Sequence, residues 1–172
     1  MDKELLRYLN DHLAGSAGAI GLIQKLATSA EDPEQARFFH GLEEKVEADR
    51  GLLRDLICRL GQSSSTLMEA AGGITGAASR LKLAWEGMQP GHLGRFEGIE
   101  MLTLGIQGKR QLWRFLAGLA PLIPEWEGLD FAALELEAIS QRDEVEKLRI
   151  EAGVDALLDS ARRGGSRTEG PA

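Results

Sequence analysis

Phe39-His40-Gly41-Leu42-Glu43-Glu44-Lys45-Val46-Glu47-Ala48-Asp49-Arg50, running on to Leu60-Gly61, is the stretch on which the fold turns. Phe39, Leu42, Val46, Leu53, Leu56 and Leu60 recur at spacings of three, four or seven, which lays one apolar stripe along a helix. Asp32-Pro33 marks its start. An aspartate can cap the orphan N–H groups, a proline in the first turn has no N–H to leave unpaired, and Gln35 completes a capping-box pattern. Gly61 marks its end, because glycine closes a helix in the left-handed conformation at little steric cost.

Upstream, Leu5, Leu9, Leu13, Ile20, Ile23 and Ala27 form a second stripe over about residues 2–28, so the first two helices read as an antiparallel hairpin joined by a short turn. Downstream, Gly61-Gln62-Ser63-Ser64-Ser65 breaks the pattern. Thr66 with Glu69 then caps a helix carrying Leu67, Ala71, Ile74, Ala78, Leu81 and Trp85. Its small residues, Ala70 to Gly73 and Gly76 to Ala78 among them, weaken a helix unless another backbone approaches closely, within the chain or across a dimer. After Met88-Gln89-Pro90-Gly91 a third long helix runs from about 92 to 120, with Met101, Leu102, Gly105, Leu112, Trp113, Leu116 and Leu119 on one face. Pro121 and Pro124 end it. Asp130 caps a last helix whose seam is Leu134, Ala138, Val145, Leu148 and Ala152. Residues 1–158 are expected to form the bundle and 159–172 a flexible tail, its arginines a solvated end. No β alternation occurs, so the class is all-α.

Composition narrows the function. The 172 residues are 43% hydrophobic and 27% charged, the balance of a globular domain. A net charge of −7 with interspersed signs argues against a nucleic-acid surface, which needs clustered cations. No segment approaches the ~20 apolar residues of a membrane span, and Met1-Asp2-Lys3-Glu4 does not open a signal peptide; a cytoplasmic location is expected. Cys58 is the single cysteine, which excludes internal disulfides and a thiolate zinc site and reads as a small buried hydrophobe.

The segment from His40 to Arg50, followed by Leu60-Gly61, resembles the ferritin-like superfamily, bacterioferritin in particular, where E-x-x-H precedes Ala-Asp-Arg and a helix-ending glycine; Leu9-Asn10 is a weaker echo. The resemblance implies an antiparallel four-helix bundle whose long crossover, here carrying an extra helix, makes the second and third bundle helices parallel. It also implies a di-iron site built from a Glu on each of two helices and an E-x-x-H on each of the others. Carried onto this chain, those positions become Ser16, Glu44-Lys45-Val46-Glu47, Gly105 and Gln141-Arg142-Asp143-Glu144. Both histidines and three of the four glutamates are gone, and serine and glycine cannot bridge iron. Periodicity puts Ser16, Gly105 and Gln141 within the apolar stripes but Glu44 and Glu47 nearly opposite theirs, on a solvated face.

Polar residues inside the stripes are Asp49, Lys109 and Gln141, with Ser16 and His12 at the edge of the first. Lysine and aspartate are almost never buried without partners. Asp49 and Lys109 lie about one turn beyond the old metal level on helices expected to be parallel, and His12 reaches the same level. An internal Asp49–Lys109 ion pair is therefore expected, with His12 beside it and Gln141 in the neighbouring layer. A Ser16–His12–Asp49 hydrolytic triad would lack oxyanion donors and a strained turn, and Gly72-Gly73 follows no strand, so it is no phosphate loop.

Three functions remain open at this point. One is a non-catalytic structural or interaction protein without cofactor or working di-iron centre, a homodimer with room for a protein partner and no affinity for nucleic acid or membrane. Another is small-molecule binding between the helices through Asp49, Lys109 and Gln141. The third is an iron-handling oxidase with an atypical metal site of Glu44, Glu47 and Glu144. The first fits the ligand losses best.

Overall fold

The computed structural model describes residues 3–61 and 91–165, with side chains through Leu158. Among the described residues every regular element is helical, and no helix is long and apolar enough to cross a membrane. The expected crossover helix with Trp85, and the chain after Gly165, lie outside the described residues.

Helix α1 spans Lys3–Thr28, with Glu4 in its first turn and Lys25 in its last, each sign matched to the helix dipole. Helix α2 spans Pro33–Arg59. Asp32 Oδ1 accepts from the Glu34 N–H at 2.9 Å, so one orphan donor is satisfied. Gln35, expected to complete a capping box, is seen accepting from Arg95 through its Oε1. At the other end Gly61 takes φ 84° while its N–H donates to the Cys58 carbonyl, which ends the helix as expected.

Helix α3 spans His92–Leu119 behind Gly91 at φ 104°, and 3-10 turns at Ala120–Leu122 and Pro124–Trp126 follow it. Helix α4 spans Phe131–Gly165, its start capped by Asp130 Oδ1 accepting from the Ala133 N–H at 2.9 Å. The helix runs on to Gly165, past Leu158, the last residue whose side chain is described. Residues 159–163 contain neither proline nor glycine, and extending a formed helix costs little until Gly164-Gly165.

The core divides into two apolar clusters. One gathers Leu9 and Leu13 of α1, Leu53, Leu56, Ile57 and Leu60 of α2, and Leu112, Trp113 and Leu116 of α3 with Trp126, Phe131 and Ala138. The other gathers Ile20 to Ala27 of α1, Phe39, Leu42 and Val46 of α2, Ile99, Leu102 and Ile106 of α3, and Val145 and Ala152 of α4. Trp126 and Trp113 are both buried, and the Trp126 indole donates to the Leu56 carbonyl at 3.4 Å. Cys58, expected to be buried, is exposed. At about 100° per residue, one step past buried Ile57 turns it off the stripe. Polar bonds tie the helices outside the core: Gln24 donates to Glu43 at 2.6 Å, and Arg110 pairs with Glu135 at 3.0 Å.

Candidate functional site: a polar layer between two apolar clusters

On each helix a polar residue falls in the gap between the two clusters. Ser16 lies between Leu13 and Ile20, Asp49 between Val46 and Leu53, Lys109 between Ile106 and Leu112, and Gln141 between Ala138 and Val145. Spacings of three and four keep each polar residue on the inward stripe, so helical periodicity alone delivers one to the interior from every helix. The structure brings three of them into direct contact. Lys109 Nζ donates to Asp49 Oδ2 at 2.5 Å and also to Gln141 Oε1. The side chains of Lys109 and Asp49 are 14% and 12% exposed, and Gln141 is 1% exposed. Gln141 Nε2 in turn donates to Glu137 Oε1 at 3.4 Å, one turn earlier on α4. Gln141 therefore belongs to the lysine's own layer rather than to a neighbouring one.

Electrostatics follow the burial. Desolvation pushes the Asp49 carboxyl above its ordinary range, the Lys109 charge and hydrogen bond pull it back, and Glu137 adds a further upward push. Burial holds the His12 imidazole below its ordinary value, with Asp11 opposing.

Ser16 and His12 border the same place without entering the ion pair. The Ser16 hydroxyl donates to the Leu13 carbonyl at 2.7 Å and accepts from Arg50 Nη1 at 3.4 Å. With its proton committed to the backbone, Ser16 is not poised as a nucleophile. His12 packs edge-on against Tyr8, with ring centroids 4.7 Å apart. A cleft of about 70 Å³ is lined by His12, Ser16, Asp49, Arg50, Lys109 and Trp113 together with Val46, Leu53, Gly105 and Leu112.

Sequence reasoning missed Arg50, Trp113 and Glu137 as members of this site. Arg50 was legible in principle, since it follows Asp49 at the stripe's edge, and Glu137 stands one turn before Gln141. The Trp113 indole N–H is buried and finds no partner among the described residues, a state no sequence pattern announces. Leaving such a donor unpaired costs about 1–3 kcal/mol.

The alternative metal set does not assemble. Glu44 and Glu47 are exposed on α2, and Glu144 sits half-buried on α4. Among the described residues no three His, Cys, Asp or Glu side chains are grouped to hold a metal ion. Of the other histidines, His40 is exposed beside Glu43, and His92 borders an open cleft of about 620 Å³ at the far end of the described helices.

Fold and site together define a helical protein with an ammonium–carboxylate–amide layer across its core. No family model, curated protein or solved structure matches the chain.

Proposed function

We propose that this chain is a non-catalytic bundle of the ferritin-like kind in which a lysine ammonium has replaced the di-iron centre, leaving a scaffold for protein contact. The observation that carries the reading is Lys109, whose Nζ bonds Asp49 and Gln141 one helical turn from Gly105 and level with Ser16. Those are the positions at which the resemblance to bacterioferritin would put metal ligands. A fixed cation there opposes metal entry twice over, by occupying the space and by repelling positive charge.

Helix order supports the ferritin-like part. One apolar cluster collects the early residues of α1 and α4 with the late residues of α2 and α3, and the other cluster collects the reverse. On that reading α2 and α3 run parallel and α1 opposes both, the arrangement a long crossover produces. The interaction role draws support from the outer face of α4, where Leu136, Ile150, Val154 and Leu157 are each at least half exposed. A homodimer is the assembly we propose, with no cofactor.

Elemental mass spectrometry tests this on untagged protein incubated with ferrous iron under oxygen. Iron at background supports the reading. Two irons per chain, with an oxidation-dependent absorbance, would refute it and restore the oxidase alternative.

A further inference from the structure

Helix α4 carries a second stripe on its solvent side. Leu136, Ser140, Asp143, Lys147, Ile150 and Val154 follow one another at alternating steps of four and three, and all six are exposed. That alternation is the seam pattern of a coiled coil, in which each side chain inserts between residues of a facing helix. Opposite charges one turn apart, Asp143 and Lys147, stand at the middle of the seam, and exposed apolar residues lie towards both ends.

We propose that two copies of this chain pair antiparallel through this face of α4, in the register that sets Asp143 of each copy against Lys147 of the other. The inference rests on the homodimer reading above and names its surface. One register satisfies the whole seam. With Asp143 opposite Lys147, Ser140 falls opposite Ile150, Leu136 opposite Val154 and, one step further out, Ala133 opposite Leu157. Each relation repeats across the two-fold axis, as a self-complementary interface requires. The ion pairs sit at the axis and the apolar pairs close both ends. A parallel pairing would set Asp143 against Asp143 and Lys147 against Lys147, so like charges oppose it. Arg142 already binds Asp143, but both of its hydrogen bonds land on Oδ1, which leaves Oδ2 able to accept from the second copy. Acid flanks the seam. On one side the register brings Glu144 near its own copy and Glu137 near Glu151, and Lys147, within about one turn of Glu144 and Glu151 on its own helix, offsets part of that repulsion. On the other side Glu146 is held by its own Arg149 at 2.7 Å.

Sedimentation equilibrium on the full chain tests this, with circular dichroism to check helix content. The wild type should be a reversible dimer. Asp143→Lys and Lys147→Asp each turn both attractive pairs into repulsive ones, and each should weaken the dimer at least about tenfold. Joining the two in one chain exchanges the charges and should restore association to within a few-fold of wild type. Val154→Asp, which sets a charge against Leu136, should weaken the dimer like the single reversals. Wild-type affinity in both single reversals, or a double variant no tighter than the singles, overturns this inference and leaves the homodimer to another face. Should the reversals lose helix, wild-type affinity in Val154→Asp overturns it. A wild type that stays monomeric at millimolar concentration overturns this inference and the homodimer reading together, while the iron measurement tests the loss of the metal centre separately.

Discussion

Lys109 is held in the interior by its register on α3, since Ile106 and Leu112 on either side belong to the core and draw it inward. An ammonium desolvated in this way needs acceptors, and Asp49 and Gln141 provide them from α2 and α4. His12 gives the layer a pH dependence. Its folded-state value is depressed, so the stability it contributes is complete above the unfolded value near 6.5 and is lost as pH falls through the lower folded value. Asp49, shifted upward, slopes the other way from about 3.8, so the comparison belongs between variants. Melting His12→Gln and wild type across this range should give a flatter acid limb for the variant; superimposable limbs would remove His12 from the account. Asp49, Lys109 and Gln141 were legible because a charged or amide side chain on an apolar stripe is a conflict visible in one dimension. Arg50 was legible only as the neighbour of Asp49 at the stripe's edge, and the unpartnered Trp113 N–H was not legible at all, because a missing partner depends on distances between helices.

The described helices begin and end where local chemistry says so. Asp32 with Pro33, Gly61, Pro121 with Pro124, and Asp130 each act through their own backbone geometry, and each boundary they mark agrees with the structure within a residue or two. The stripe of α3 was read less well. Periodicity puts Met101 with Leu102 and Gly105 on its inward face, yet Met101 is only half-buried, while Ile99 and Ile106 are buried beside Leu102. Periodicity fixes a face to within one residue's rotation, and packing against neighbours decides the rest. The end of α4 was unreadable because nothing in residues 159–163 stops a helix. The α2 start supplies an element-scale prediction. Asp32→Ala frees the Glu34 N–H and should lower stability by about 1 kcal/mol in urea unfolding without changing the fold. At the opposite end of the core, Trp126→Ala empties a fully buried site and breaks the bond to the Leu56 carbonyl, and should cost about 3–5 kcal/mol in the same assay.

Among the described residues, α1 to α4 each contribute a polar residue to the layer between the two apolar clusters. An apolar core tolerates sliding by a turn, whereas a buried lysine that must meet an aspartate and a glutamine does not. Its value is in fixing helix register more than in adding stability, because burying two charges costs about what their attraction returns. That distinction has a measurable consequence. Removing one partner strands the other, while removing both leaves an apolar layer. Equilibrium urea unfolding of Lys109→Met, alone and with Asp49→Leu, tests this most directly. We expect the single variant to lose about 3–5 kcal/mol and the double variant to recover most of that loss. A Lys109→Met protein that unfolds with the wild-type midpoint and slope would contradict the account, since Lys109 would then not be the internal partner of Asp49.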